Sequence, residues 1–249
     1  MRLRQIALAA TDLEATVAAL SDVLGVGQPF NDPGVAAFGL ENAVFAIGET
    51  FLEVVSPVRD DATAKRWIAK RGGDAGYMVI LQCDDLATLS REIERARNWG
   101  AVVVWQGGHA GARTAHFHPR ELGAIVSLDA MPSWGDWVWA GPSWRERSQI
   151  RTTRAITGAE LASPDPERLA ARWTALLGIK ARRTGDALAI ALPRGGRIVF
   201  IPGGEGDALV GVEIALADRA HFDACARARG VLGADGAATI AGVRFIPAD

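Results

Sequence analysis

The chain repeats itself without a gap. Residues 8–25 and 161–178 share Leu8/Leu161, Ala9/Ala162, Asp12/Asp165, Glu14/Glu167, Ala18/Ala171, Leu24/Leu177 and Gly25/Gly178. Self-similarity constrains the fold more than any single motif, because each copy must be one supersecondary unit that buries its apolar face against its neighbours. Both copies run in the same order: a short apolar strand, an Asp/Thr/Ser/Pro turn, an amphipathic helix and a closing glycine.

That order recurs at 77–100, where Met78-Val79-Ile80-Leu81-Gln82-Cys83 precedes Asp84-Asp85 and a helix through Ile93 and Ala96. It recurs again at 210–230, where Gly211–Leu216 precedes Asp218 and a helix through Phe222 and Ala226. Short apolar runs follow each helix; in the first copy they are Gly34–Leu40, Ala43–Ile47 and Phe51–Val55. Thr11, Asp84, Ser163 and Asp218 suit helix N-caps, where a short side-chain acceptor satisfies free amides of the first turn. Gly25, Gly100, Gly178 and Gly230 suit the helix ends, where a left-handed residue is needed. The pattern predicts an α+β protein of four βαβββ modules at about 1–58, 74–130, 153–203 and 208–248. The last is short, so its second strand should be reduced or missing.

Composition sets the remaining bounds. The chain has 249 residues, 49% hydrophobic and 22% charged, the balance of a packed globular protein. Net charge is −2 with no basic face, which argues against nucleic acid as a partner. No apolar run nears the roughly 20 residues that span a bilayer, and Asp12, Glu14 and Asp22 interrupt any reading of the start as a signal peptide. Cys83 and Cys225 fall in different modules, which suggests free thiols in a cytoplasmic setting rather than a disulfide framework. One stretch, 131–152, breaks the pattern. It carries Trp134, Trp137, Trp139 and Trp144 among Pro and Gly and reads as a linker, its indoles either packing against the modules or forming an aromatic lid over a cavity.

Four such modules resemble the vicinal oxygen chelate superfamily, which includes glyoxalase I, bleomycin-resistance proteins, methylmalonyl-CoA epimerase and extradiol dioxygenases. Residues 3–25 resemble its opening strand and helix, and Phe51-Leu52-Glu53-Val54-Val55-Ser56-Pro57 its fourth strand. His118-Pro119-Arg120 through Gly123-Ala124-Ile125-Val126 resembles the approach to the fourth strand of its second module. The stretch Phe38–Pro57 is most similar to the glyoxalase-like branch. The resemblance implies paired modules forming two open eight-stranded barrels. An N-terminal domain would occupy 1–130 and a degenerate C-terminal domain 153–249, joined by 131–152.

The resemblance also implies where a metal would bind: one inward residue on the first strand and one on the fourth strand of each paired module. In the first module these are Gln5 and Glu53, both oxygen donors. In the second they are Met78 and Ser127, where the family has His and Glu. A thioether and a neutral hydroxyl are weak ligands for Zn²⁺, Mg²⁺ or Fe²⁺. In the third and fourth modules Gly158, about Ile198, Gly211 and about Val243 supply nothing. A rescue set of Gln5, Glu53, His116 and Asp129 remains conceivable for Zn²⁺, Ni²⁺ or Fe²⁺. It uses the strand alternation that sets His116 and His118 on one face and Asp129 on the face of Ser127.

Two functions stay open. One is a small organic ligand held in the N-terminal barrel without metal or other cofactor, by Gln5, Glu53, Met78, His116 and Ser127, in the manner of bleomycin-resistance proteins. The other is a metal-dependent lyase, isomerase or dioxygenase using Gln5 and Glu53 with His116, in which Glu53 and His116 would be the catalytic groups. A homodimer is compatible with either. Glu53, if metal-free, should hydrogen-bond to Gln5, His116 or Ser127, or hold a proton.

Overall fold

The computed structural model describes residues 1–248. The first module contains β1 (Arg2–Ala9), α1 (Leu13–Leu24), β2 (Leu40–Ile47) and β3 (Thr50–Pro57), followed by α2 (Thr63–Arg71). The second contains β4 (Ala75–Gln82), α3 (Leu86–Trp99), β5 (Val103–Gly107), β6 (Arg113–Phe117) and β7 (Ile125–Ala130). A short helix α4 (Trp144–Arg147) leads into the third module: β8 (Thr153–Ser163), α5 (Pro166–Leu177), β9 (Arg182–Thr184), β10 (Ala187–Ala191) and β11 (Arg197–Pro202). The fourth has β12 (Ala208–Leu216), α6 (Arg219–Ala228), β13 (Ala238–Ile240) and β14 (Val243–Ala248).

In every module the first strand pairs in parallel with the last: β1 with β3, β4 with β7, β8 with β11 and β12 with β14. Two seven-stranded mixed sheets result, in the orders β2-β3-β1-β4-β7-β6-β5 and β13-β14-β12-β8-β11-β10-β9. Each sheet therefore joins the modules expected to pair, with seven strands where eight were expected. The short fourth module has three strands, as its length foretold. In the first module the run Gly34–Leu40 does not extend; Pro33–Phe38 is a 3-10 helix. Pro33 lacks the amide a strand would donate, and Asp32 accepts a hydrogen bond from Gly34 N, so the segment turns instead. The helix α2 falls between expected modules and was not foreseen.

The helices are capped by Asp12, Asp85, Asp165 and Asp218, each accepting from the amide three residues on. Only Asp218 sits where the sequence reading put it. The other expected caps are committed elsewhere: Thr11 Oγ1 donates to Asp74, Ser163 Oγ donates to Asp207, and Asp84 meets the N-terminal ammonium. The closing glycines hold as expected. Gly25, Gly100 and Gly178 are left-handed, and Gly230 has φ 67° just past the end of α6.

The chain forms two compact units, and neither is a contiguous half. The first gathers Met1–Arg4, Met78–Val138 and Gly158–Leu209; the second gathers Gln5–Tyr77, Trp139–Thr157 and Val210–Asp249. Strands β1, β4, β8 and β12 each have residues in both. In the first unit α3 packs on α5, and fully buried Trp173 donates to Leu122 O and meets Phe200 edge-on. In the second, α1 packs on α6 above a core holding Phe45, Phe51, Phe222 and Phe245. Two of the four linker tryptophans are buried in packing contacts, while Trp134 and Trp139 are half-exposed. Trp137 is 1% exposed within the first unit, and Trp144, 5% exposed, sits edge-on to Phe51 within the second. Cys83 and Cys225 are free thiols, and no helix among the described residues is long and apolar enough to cross a membrane.

Gly25 offers a test of the repeat. It has φ 60°, and a Cβ there would lie 2.3 Å from Thr152 Oγ1, whereas a Cβ at Gly230 would meet nothing within 4 Å. Gly230→Ala incurs only the left-handed penalty, about 1 kcal/mol, while Gly25→Ala adds the clash, for about 2–4 kcal/mol in all. Thermal melts of the two variants should therefore show a clearly larger drop in Tm for Gly25→Ala. Equal drops would mean that Thr152 moves aside freely.

Candidate functional site

The second unit contains a buried carboxylate held by two amides. The parallel register of β1 and β3 sets Gln5 opposite Phe51 and Ala7 opposite Glu53, so Gln5 and Glu53 share one face, two residues out of step. Gln5 Nε2 donates to Glu53 Oε2 at 2.8 Å, and Asn42 Nδ2 donates to Glu53 Oε1 at 2.6 Å. The amide of Asn42 is itself oriented, because its Oδ1 accepts from Asp32 N at 2.8 Å. Glu53 is 8% exposed. Burial pushes its carboxyl up to about 7; the Asn42 hydrogen bond opposes this, the nearby Asp32 charge adds to it, and the Gln5 hydrogen bond again opposes it. Gln5 is thus the partner expected for Glu53. Asn42 was missed as a site residue, although an amide directly before the apolar run Ala43–Ile47 was the available signal.

The other expected residues lie in the first unit. Met78 pairs with Ile125, and Ile80 with Ser127, across the parallel β4–β7 ladder. His116 pairs with Ser127, and Thr114 with Asp129, across β6–β7. Ser127 is not a free hydroxyl. It hydrogen-bonds Asp129 Oδ1 and lies 2.8 Å from Thr114 Oγ1, which reaches Asp129 Oδ1 at 2.9 Å. His116 sits 4.7 Å, ring to ring, from Trp105, and burial pushes its imidazole down to about 4, so it is neutral near pH 7. His118 lies just beyond β6, which ends at Phe117, and its Nδ1 accepts from Arg120 N to cap a following turn. His221 lies in the first turn of α6, as expected.

These donors do not fit the metal that the fold family implies. Both Glu53 oxygens accept amide N–H bonds, so Gln5 turns its nitrogen toward the carboxylate instead of offering an oxygen beside it. The remaining family positions are a thioether, Met78, and a hydroxyl, Ser127, already bonded to Asp129; both are weak ligands for hard or borderline divalent ions. Among the described residues no group of three or more His, Cys, Asp or Glu is placed to hold a metal ion. In the last two modules the register places Val199 opposite Glu160 and Ile246 opposite Glu213. These positions, rather than Ile198 and Val243, match Glu53, and they are equally without donor chemistry.

Glu53 and His116 make opposite contributions to stability against pH. Glu53 holds its proton more tightly folded than unfolded, so its contribution is full below about 4.5 and is lost as pH rises to about 7. His116 has a depressed value, so its contribution is full above 6.5 and is lost as pH falls toward 4. Denaturant unfolding of Glu53→Gln should therefore show stability gained on the wild type between pH 4.5 and 7, up to on the order of 3 kcal/mol. His116→Gln should lose less than the wild type on acidification from 6.5 to 4. Parallel curves for a variant and the wild type would refute the corresponding assignment.

Comparison with known proteins agrees with the fold. Residues 6–177 match the glyoxalase-like domain family. No curated protein matches the chain. A mutant of 4-hydroxymandelate synthase from Streptomyces coelicolor is 19% identical with a TM-score of 0.69, over 92% of this chain and 75% of that one. A hypothetical protein from Staphylococcus aureus is 10% identical with a TM-score of 0.66, over 99% of both chains. Methylmalonyl-CoA epimerase from Streptomyces coelicolor is 22% identical with a TM-score of 0.46, over 53% of this chain and 99% of that one. The repeated modules that each open on a strand and a helix, the parallel pairing of first and last strands within each, and a family match over well over half of its length identify this chain as a member of the glyoxalase-like domain family, within the vicinal oxygen chelate superfamily.

Proposed function

We propose that this chain binds a small organic molecule at Glu53 without a metal ion. The observation that carries this is the buried Glu53 carboxylate, fixed between Gln5 and Asn42 and poised to titrate near neutral pH. A carboxylate offers about four lone-pair sites, and the two amides occupy two of them. The others suit a ligand with a hydroxyl, amide or ammonium donor. Such a donor would relieve the desolvation that burial imposes on the anion, so binding should favour the ionised form and draw the pKa back down.

Calorimetric titration of ligands found by thermal-shift screening tests this. Near pH 7 binding should release a fraction of a proton, visible as a heat that depends on buffer ionisation, because the ligand stabilises the anion. Glu53→Gln should abolish that release and weaken binding by roughly tenfold or more, the loss expected when a hydrogen bond to a charged group is removed. Unchanged affinity in Glu53→Gln would refute the site.

The value near 7 favours a second reading, in which Glu53 also removes a proton from the bound molecule. A general base is most effective when its pKa lies near the working pH, and the Gln5 and Asn42 amides would hold its orientation. The expected signature is exchange of a ligand C–H for deuterium in D₂O, catalysed by the wild type and lost in Glu53→Gln. Binding without exchange would leave Glu53 as a binding group alone.

A further inference from the structure

Away from the Glu53 cradle, the second unit sets two metal-binding side chains side by side at the mouth of a cleft. His221 and Cys225 stand four residues apart on α6, so they share one face of the helix, a turn apart. Cys225 Sγ lies 3.5 Å from His221 Nε2. The backbone amide of His221 is held by the Asp218 cap, which fixes where its ring starts. Both side chains line a cleft of about 380 Å³ beside α1, together with Asp22, Val26 and Arg229. Cys225 is a free, half-buried thiol; Cys83, in the other unit, is only 1% exposed.

The neighbours of the pair are already engaged. Arg229 Nε donates to Asp22 Oδ2 at 2.9 Å, and its Nη2 reaches the same oxygen. His221 Nε2 lies 3.2 Å from the Asp22 carbonyl. That carbonyl is one of the last four of α1, which have no partner within the helix. A carbonyl only accepts, so this contact needs the proton on Nε2.

We infer that His221 and Cys225 form a two-ligand site for a thiophilic monovalent metal ion, copper(I) or silver(I) in type. A thiolate with an imidazole is a soft donor set, suited to such ions and not to magnesium or calcium. Among the described residues no third His, Cys, Asp or Glu completes a metal-binding group with the pair. Two ligands fall short of the four that a structural zinc site requires, whereas copper(I) and silver(I) are commonly satisfied by two. One thiolate also cancels one positive charge, so the loaded site is neutral beside the Arg229–Asp22 pair; a divalent ion would leave a charge in the cleft that nothing balances. Bonds of about 2.0 Å to nitrogen and about 2.3 Å to sulfur place the two donors roughly 4 Å apart across a near-linear ion. The pair therefore has to widen by less than about 1 Å, a modest side-chain rotation. On binding, the thiol gives its proton to solvent and the sulfur bonds the ion. The ring proton moves from Nε2 to Nδ1, which frees the Nε2 lone pair and releases the Asp22 carbonyl. The site is independent of Glu53 and of the ligand proposed there.

The test is competition for copper(I) between the intact chain and a chromophoric chelator, without oxygen and with a thiol-free reductant. Silver(I) is titrated separately. We expect one ion per chain. Loss of a direct ligand should cost at least the roughly 10- to 100-fold known for outer-shell partners. Cys225→Ser and His221→Gln should thus each weaken binding by roughly tenfold or more, while Cys83→Ala binds as the wild type does. Circular dichroism verifies the fold of each variant. Nitrogen-15 spectra of the wild-type histidines need no variant beyond the one that assigns the His221 signal. One equivalent of silver(I) should convert His221 Nε2 from a protonated to a metal-bound resonance. Unchanged binding in either Cys225→Ser or His221→Gln would overturn the inference, the latter by reducing the site to one accessible thiol. So would an Nε2 that stays protonated with silver(I) present, or zinc(II) held more tightly than copper(I).

Discussion

The parallel pairing of the first and last strand within each module is the constraint on which everything else depends. Parallel neighbours cannot be joined by a tight turn; they need a crossover of a dozen or more residues. The module meets that need with a helix and intervening antiparallel strands, which is why βα is always followed by strands before the ladder closes. The pairing also brings two residues nearly fifty positions apart side by side. Gln5 and Glu53 meet because β1 and β3 run in the same direction at a fixed offset. A slip of one residue in that ladder would turn Glu53 to the opposite face and dismantle the amide cradle.

Once the strands are set, burial decides the chemistry. Glu53 is an ordinary acid made weak because water is excluded and only neutral amides replace it. His116 is an ordinary base made weaker by the same cause without even that compensation. Asp129 follows a third course, taking hydroxyl hydrogen bonds from Ser127 and Thr114. Of the family's metal positions, Gln5 and Glu53 bond to each other and Ser127 bonds to Asp129, so these three meet their polarity within the protein, as buried polar atoms generally do.

The architecture was legible because it is written in repeated, local signals: Asp at each helix start, Gly at each helix end, and alternation between. What was not legible depended on contacts distant in sequence or on single-residue irregularities. Thr11 and Ser163 looked like caps until their hydroxyls proved committed to Asp74 and Asp207. The run 34–40 is apolar enough for a strand, yet Pro33 and the Asp32 cap turn it into a 3-10 helix. Asn42 gains its role only from Asp32 on one side and Glu53 on the other. Period-two counting puts Trp105 on the face opposite to that of His116, and only the extra residue in β5 reverses this.

The interleaving of the two compact units has a consequence for how the protein is made. The chain leaves one unit and enters the other at 4–5, 77–78, 138–139, 157–158 and 209–210. Residues 5–77 carry the Glu53 cradle, but their unit is completed only by residues from 210 onward. At roughly 5–20 residues per second of synthesis, the ribosome needs on the order of ten seconds to supply them. Through that interval α1 has no α6 to cover it, and the apolar face it shares with Phe45 and Phe51 stays open to solvent or to a chaperone. A contiguous domain escapes this delay; here the final stretch of the chain is the lid that closes the first.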